Sequence, residues 1–163
     1  MATDNPTAEG GEAPKKHFEL RLVYLKDVSF EAPHVPGILF GHEQPELQFG
    51  IETNYLLSVA NHEGLGDVYD VLVTINVEAT AAGRPLFLIE VHQGGLFEIS
   101  GYSAEETDVV LRTKAPESVY PYARELITSL IARGGFPNVR LRPLNFAKLY
   151  AEQNLAGKQA GAN

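Results

Sequence analysis

Alternating apolar and polar positions predict four β-strands in the middle of the chain. In residues 18–25, 47–53, 69–80 and 86–93 the two kinds of side chain follow one another with the period of two that strands show. The short stretch between the last two segments contains Gly and Pro, which predicts a hairpin. Successive strands on short connections favour an antiparallel sheet with one face toward water.

A second period, close to 3.6 residues, predicts helices after the strands. Residues 119–131 place apolar side chains on one helix face, with Pro121 expected in the first turn, where its missing N–H is tolerated. Ser103 and Glu106 have the spacing of a capping box, and Asn145 is a favourable N-cap for a third helix. Strands followed by helices indicate an α+β fold, a four-stranded antiparallel sheet with helices packed on one face.

The two ends of the chain differ from this pattern. Residues 1–16 are rich in Gly, Ala, Pro, Thr and Glu, and we expect a disordered N-terminal tail because they bury too little apolar surface to offset the entropy of ordering. Residues 156–163 are small and polar, which predicts a flexible C-terminal tail. The remainder, residues 17–155, is predicted to form one domain.

One internal segment, residues 30–46, matches neither period. It contains three prolines, which exclude a central strand, between bulky apolar residues. One interpretation is a long loop folded over the core. The other is an apolar wall beside the sheet that receives an extended peptide, since long irregular loops are often functional.

Composition and charge narrow the function classes. The 163 residues carry a formal net charge of −8 and have no cysteine, which disfavours nucleic-acid binding and excludes thiolate catalysis and disulfides. No apolar stretch approaches the roughly 20 residues that span a bilayer, and the N-terminus lacks the apolar core of a secretion signal, so we expect a cytoplasmic protein without membrane insertion.

The search for catalytic chemistry finds no convincing site. The five histidines are scattered without metal-binding spacing, and the serines and glycines form no nucleophile or nucleotide motif. His92 stands near Glu90 on one strand face, which we interpret as an incidental neighbour rather than a catalytic pair. Gly94 and Gly95 are interpreted as a turn or bulge. We therefore predict a binding protein, with no enzyme activity, cofactor or metal.

Four sequence motifs together resemble the SecB family of bacterial protein-export chaperones. They are, in the family's order, DVSFEAP at residues 27–33, QGG at 93–95, YPYARE at 120–125 and RGGFP at 133–137. The resemblance covers roughly residues 18–155. It implies a dimer of dimers that holds unfolded secretory precursors, without ATP, and passes them to the SecA translocation motor, whose basic, zinc-holding tail it recognises.

The resemblance also implies roles for individual residues. The expected motor-binding positions on the outer sheet face are Asp27, Glu31, Leu88 and Glu90. The expected oligomer interface comprises Ile89, Val91, Gln93, Tyr122, Leu126 and Leu130. The precursor is expected to bury apolar side chains in a groove formed by Phe30, Val35, Leu39, Phe40, Leu47, Phe49 and Ile51.

Other functions stay open at this point. A related chaperone that protects the antitoxin of a toxin–antitoxin pair would share the fold and the groove. The complete DVSFEAP motif and the acidic outer-face positions favour export, because they suit docking to the motor. The C-terminal GKQAGAN lacks the acidic residues common in the family, which leaves a contribution of that tail to motor binding in doubt. An enzyme on an α+β scaffold or an inert oligomeric scaffold are weaker alternatives.

Overall fold

The strands of the sheet extend well beyond the segments that alternation predicts. A computed structural model describes residues 11–161, and its strands are β1 (His17–Glu31), β2 (Glu46–His62), β3 (Gly66–Ala81) and β4 (Arg84–Ser100). The four predicted strands are all confirmed. Each continues further because strand pairing, rather than local alternation, sets where a strand ends.

The sheet is antiparallel throughout, with the order β1-β4-β3-β2. Tight turns join β2 to β3 and β3 to β4, and the predicted hairpin between the last two is confirmed. β1 and β2 lie at opposite edges, so the connection between them, residues 32–45, crosses the end of the sheet. We call this connection the crossover. It contains a 3-10 turn at Gly37–Phe40 and no strand, as its prolines predict.

Gly94 and Gly95 lie inside β4, so their interpretation as a turn or bulge is wrong. Each has a neighbour that occupies the space of a side chain. A Cβ on Gly94 would overlap the ring of Tyr24, and one on Gly95 would lie 2.7 Å from Cγ2 of Val119. The two glycines are therefore needed for close packing on the two faces of the strand and not for a change of direction.

Three helices follow the sheet: α1 (Ala104–Arg112), α2 (Lys114–Arg133) and α3 (Phe146–Ala160). The capping box at α1 is confirmed, since Ser103 Oγ accepts from the Glu106 amide at 3.2 Å and Glu106 Oε2 accepts from the Ser103 amide at 3.0 Å. Asn145 caps α3 as predicted, because its side chain accepts from the Lys148 amide. Local capping signals thus locate both helix starts.

The predicted start of α2 is wrong. The helix begins at Lys114, so Pro121 lies in its interior and not in its first turn. Pro116 is the first-turn proline. Pro121 removes one hydrogen bond of the helix, and the helix continues because its other side buries a continuous row of apolar residues against the sheet. That row is Ala115, Val119, Ala123, Ile127 and Ile131.

The core lies between α2 and one face of the sheet, which we call the inner face; the opposite face is the outer face. β3 and β4 supply most of the inner-face side chains, and Phe87 and Phe97 are the largest that are fully buried. α2 packs on β4, β3 and β1, and α1 and α3 pack beside it. One sheet face is therefore closed by helices, which confirms the predicted architecture.

The tails are only partly described. Residues 1–10 and 162–163 of the predicted flexible tails lie outside the described residues. Residues 11–16 lead into β1 without regular secondary structure, and Lys16 forms an ion pair with Glu106 at 2.7 Å. α3 continues to Ala160, into the segment predicted as the C-terminal tail.

Candidate functional site

The four predicted motor-binding residues lie together on the outer face, on the adjacent strands β1 and β4. Glu31 pairs with Leu88, and Ser29 between the acids pairs with Glu90. Asp27 pairs with the next outer residue, His92. Three cross-strand rows therefore contain all four positions within roughly 14 Å, since residues two apart on a strand are ~6.8 Å apart. We call this group, with His92, the acidic patch.

The acidic patch faces outward because of the two-residue period of β4. Leu88 is 42% exposed and the Glu90 side chain is 45% exposed, whereas Ile89 between them is completely buried. The patch thus combines carboxylates with an exposed leucine, which is a suitable surface for a partner that carries positive charge beside an apolar side chain.

His92 is a member of the patch that the sequence interpretation undervalued. Its Nε2 lies 2.6 Å from Oε1 of Glu90, and its Nδ1 lies 3.3 Å from Oγ1 of Thr74. The imidazole therefore holds the Glu90 carboxylate in one orientation. Alternation alone placed the two side chains on one face but could not show that they are bonded.

β3 adds a further acid that sequence reasoning missed. Glu78 pairs with Leu88 from the side opposite to Glu31, and it is exposed. The exposed leucine therefore has carboxylates on both neighbouring strands. The signal was present in the alternation of residues 69–80, but the strand order that brings Glu78 beside Leu88 was not predictable from it.

A cleft of about 590 Å³ lies at the end of the sheet that the crossover spans, between the crossover, the β3–β4 turn and the segment after α2. Of the predicted groove residues it includes Leu39, which approaches Gly135. The rest of its apolar lining lies partly in the predicted wall of residues 30–46, at Ile38 and Pro45, and partly at positions that were not predicted, which are Ala81, Leu86, Phe136 and Pro137.

A second cleft of about 780 Å³ adjoins the first. It follows the side of α2 from Pro121 to Ala132 and is closed by residues 135–141. Gly135 and Phe136 line both clefts, so the two clefts adjoin at these residues. We call the two clefts together the crossover groove. The stretch of α2 from Pro121 to Ala132 along it is about 16 Å long, which is the length of about five residues of extended chain.

The structure does not assemble all the predicted groove residues into one wall. Phe30 stacks on Phe87 at 6.4 Å between ring centroids and is half-buried at the β1 edge. Leu47, Phe49 and Ile51 lie on β2 at the other edge, and β4 and β3 stand between β1 and β2. Grouping them with Phe30 was therefore wrong, because the strand order separates β1 from β2.

Two further predicted groove residues, Val35 and Phe40, lie on the crossover itself. Both are exposed, and the Phe40 ring is 80% exposed. An aromatic side chain so open to water is unusual in a soluble fold and is well placed to meet a partner. Phe40 and Leu39 are neighbours in the same 3-10 turn, so the turn offers apolar groups to the groove and to solvent.

The predicted interface residues divide into two groups. Ile89, Val91 and Gln93 are buried under α2 of their own chain, and Gln93 Nε2 donates to the Tyr24 carbonyl at 2.7 Å. Placing these three on an open surface was wrong, because the helices of the same chain cover the inner face. The α2 residues lie at the margin of the core: Leu126 and Leu130 are half-buried, and Tyr122 is 51% exposed.

Comparison with known proteins identifies the family. The sequence profile described as preprotein translocase subunit SecB matches residues 11–156. The chain belongs to the SecB family. Its relatives include the protein-export protein SecB of Nitrosococcus oceani, with 37% identity over 99% of this chain and 94% of the relative. The SecB of Methylobacillus flagellatus is 41% identical over 90% of this chain and 88% of that one.

A solved structure supports the SecB fold independently. The SecB-like chaperone Rv1957 of Mycobacterium tuberculosis, in complex with a ChAD peptide from the HigA1 antitoxin, has a TM-score of 0.58 at 17% identity, covering 78% of this chain and 91% of its own. At that identity the likeness concerns the fold alone. Within residues 11–161, no helix combines the length and the hydropathy that crossing a bilayer requires.

The family membership establishes the general function. SecB proteins are chaperones of protein export and not enzymes, so this chain is a chaperone that binds preproteins for translocation.

Proposed function

We propose that this SecB-family chain is a cytoplasmic holdase that binds unfolded precursors in the crossover groove and docks the SecA motor through the acidic patch. The observation that carries the proposal is the presence of two surfaces of different character. The groove has apolar side chains among polar ones and lies around the crossover and α2, whereas the patch is acidic and lies on the outer face. One chain could then hold a client and a motor at once.

The groove suits clients of many sequences. Its apolar lining buries side chains with a gain of about 25 cal/mol per Å² of apolar surface, and such burial does not depend on direction. Because a holdase removes the unfolded form from the folding equilibrium by mass action, ATP is not required. Several grooves in one oligomer would bind different stretches of the same client, which would raise avidity without specific recognition.

The acidic patch suits the basic, zinc-holding tail of the motor. Asp27, Glu31 and Glu90 provide negative charge around the exposed Leu88, and the chain as a whole carries a formal net charge of −8. Long-range attraction would speed the encounter with a basic segment, and the leucine would add apolar contact. Docking should therefore weaken as the salt concentration rises.

A homotetramer, a dimer of dimers, is supported by two exposed features of the chain. β1 is an edge strand and carries the exposed apolar residues Leu22, Leu25 and Val28. Tyr122 of α2, beside the half-buried Leu126 and Leu130, provides a second apolar surface. Edge strands and apolar margins of this kind favour association. The expected mass is about 71 kDa, four times the 17.8 kDa of one chain.

The groove is tested by placing a charge in it. We expect Leu39→Asp to reduce capture of a denatured secretory precursor by at least ~10-fold, because the carboxylate would have to lose water when the client binds. Leu155→Asp is the matched control, since Leu155 is an exposed leucine on α3 outside both clefts. Equal capture by both variants, measured as delay of client aggregation, would count against the groove.

The patch is tested by reversing its charge. We expect Glu31→Lys to weaken binding of the isolated zinc-bound motor tail by at least ~10-fold in calorimetry while client capture stays unchanged. Glu152→Lys, at an exposed position of α3 outside both clefts, is the control of the same charge change away from the outer face. Unchanged affinity in Glu31→Lys would contradict docking at the patch.

An antitoxin-protecting role is not favoured. The relatives at 36–41% identity are protein-export proteins, whereas the SecB-like chaperone crystallised with an antitoxin peptide shares 17% identity.

A further inference from the structure

We propose that His17, Glu19 and Glu98 form a binding site for a divalent transition-metal ion, with Zn²⁺ as its best fit, that ties the start of β1 to the end of β4. His17 and Glu19 lie at the start of β1, and Glu98 lies near the end of β4. The site is distinct from the acidic patch. Asp27 lies eight residues further along β1 than Glu19, which is roughly 26 Å of strand.

The distances between the donor atoms fit a metal ion. His17 Nε2 lies 3.4 Å from Oε2 of Glu19 and 3.4 Å from Oε1 of Glu98. Ligands of a tetrahedral zinc ion with bonds of about 2.0–2.2 Å are separated by about 3.3–3.6 Å. One donor atom from each of the three residues lies within 4.8 Å of the others, so closure around an ion needs only a small side-chain movement.

The backbone holds these side chains in place. Glu19 and Glu98 are a direct cross-strand pair, and His17 precedes Glu19 by two residues on the same face. The relative positions of the three residues are therefore set by the ladder between β1 and β4. A site built on paired strands needs little ordering when the ion binds.

Glu98 provides independent evidence that a cation belongs here. Its side chain is only 3% exposed, and within residues 11–161 its Oε2 has no hydrogen-bond partner. A buried carboxylate is unfavourable unless a cation or donors compensate its charge. His17 Nε2 lies 3.4 Å from Oε1, the atom placed to bind the ion, and the unpaired Oε2 shows that the charge of this carboxylate is only partly compensated.

Arg21 is the competitor for this site. Its Nε lies 3.7 Å from Oε2 of Glu98, beyond hydrogen-bond distance, and its Nη1 lies 3.1 Å from Oε2 of Glu19. The Arg21 side chain is partly exposed and able to move into solvent. The guanidinium compensates part of the charge without metal, and an ion would displace it. Removing Arg21 should therefore tighten metal binding, which is the reverse of its expected effect on a simple ion-pair cluster.

The set of ligands indicates the class of ion. One imidazole nitrogen with two carboxylates suits Zn²⁺, whereas Mg²⁺ prefers oxygen ligands and retains water. The ligands lie on two strands, so sequence spacing gave no sign of the site.

The test uses the full-length protein after removal of metal, titrated with ZnCl₂ by calorimetry, with thermal unfolding as a second readout. We expect one Zn²⁺ per chain and a higher unfolding temperature with zinc. His17→Gln should lower the affinity at least ~10-fold, or about 1.4 kcal/mol, and Arg21→Gln should raise it. His42→Gln, on the crossover, is the control and should bind as the unchanged protein does.

Three results would overturn the proposal. They are no saturable zinc binding, equal binding by His17→Gln and His42→Gln, and weaker binding by Arg21→Gln. The first would show that the cluster is an ion-pair network only, the second that zinc binds elsewhere, and the last that the ion does not displace Arg21 from these carboxylates. Because His17 is partly exposed, its replacement should not disturb folding, so the test does not depend on the more buried Glu98.

Discussion

The two faces of β4 show how one strand can serve stability and binding at alternate positions. On the inner face, Phe87, Ile89 and Val91 are at most 2% exposed under the helices. On the outer face, Leu88 and Glu90 are open to water. Neighbouring residues in the sequence thus have separate physical roles. Changes at the inner positions should alter folding, and changes at the outer positions should alter partner binding.

The largest expected effect tests the inner face. Phe87 contacts the rings of Phe30 and Phe136, so Phe87→Ala should lower the free energy of unfolding by about 3–5 kcal/mol. Leu88→Ala, the next residue, should lower it by less than about 1 kcal/mol, since Leu88 is already part-exposed. Denaturant unfolding at one fixed protein concentration measures both. Similar losses in the two variants would break the comparison.

The next largest effect on stability is expected at Gly94, an outer-face position against which the Tyr24 ring packs. Gly94→Ala should lower the free energy of unfolding by about 1–3 kcal/mol, because the added methyl would displace the Tyr24 ring and its 2.6 Å bond to Asp70. Gly50→Ala is the control, since its Cβ would meet nothing closer than 3.9 Å. In a Tyr24→Ala background the Gly94→Ala loss should largely vanish. A full loss in that background would argue against the ring as the cause.

A smaller effect on stability is expected at Asp108 of α1, an acid on the helix side of the sheet, in contrast to the acids of the patch. The Tyr55 hydroxyl donates to Asp108 and holds the pKa of that carboxyl below its ordinary value, as the Arg112 bond also does. Because folding lowers this pKa, the ionised Asp108 stabilises the folded protein fully at pH values above its unfolded-state pKa, near 3.9. That stabilisation is lost as the pH falls through the folded-state pKa.

Asp108→Asn should therefore lower the free energy of unfolding at pH 7 by about 1 kcal/mol, a modest amount because the carboxylate is 36% exposed and solvent screens it. The difference between the two proteins should shrink as the pH falls below about 4. Glu31→Gln, at an exposed position of the outer face, should change the free energy of unfolding at pH 7 by less than about 0.5 kcal/mol. Urea unfolding across the pH range follows Asp108→Asn, and a constant Asp108→Asn deficit at low pH would contradict the linkage.

The smallest effect on stability is expected at His92. His92→Gln should change the free energy of unfolding by less than about 0.5 kcal/mol. The imidazole contacts the Glu90 carboxylate with one nitrogen and Thr74 on β3 with the other, and so fixes the direction of that carboxylate. Docking of the basic motor tail should therefore weaken by roughly 2- to 5-fold in His92→Gln, which is the lower part of the range for one hydrogen bond. Calorimetry at one pH and one salt concentration measures this, and equal affinity in the two proteins would show that His92 has no such influence.

Local signals in the sequence located much of the fold. Ser103, Glu106 and Asn145 marked helix starts because capping involves residues within one turn. Pro121 suggested a helix start that is wrong. The helix tolerates this proline in its interior because a row of buried apolar residues on its other side holds it against the sheet. Gly94 and Gly95 suggested a turn, since the side chains that require them, Tyr24 and Val119, come from distant parts of the chain.

The candidate sites were predictable only as far as they depend on alternation. The outward direction of Leu88 and Glu90 followed from the period of β4. The position of Asp27 opposite His92 depends on an irregularity in β1 between Leu25 and Asp27, which alternation cannot reveal. The prediction that Phe30 and Phe49 line one groove failed for a related reason. The order of strands in the sheet, which alternation does not reveal, separates the two residues.

The position of β1 has a consequence for the synthesis of the protein. β1 is the first strand to be made, yet its partner β4 is the last, and the paired residues His17 and Ser100 stand about 80 positions apart. At a translation rate of about 5–20 residues per second, the nascent β1 waits roughly 4–16 s for its partner, while β2, β3 and β4 can pair as they emerge. During that interval this chaperone, which shelters incomplete chains, is itself an incomplete chain, and its apolar strand β1 has no partner strand.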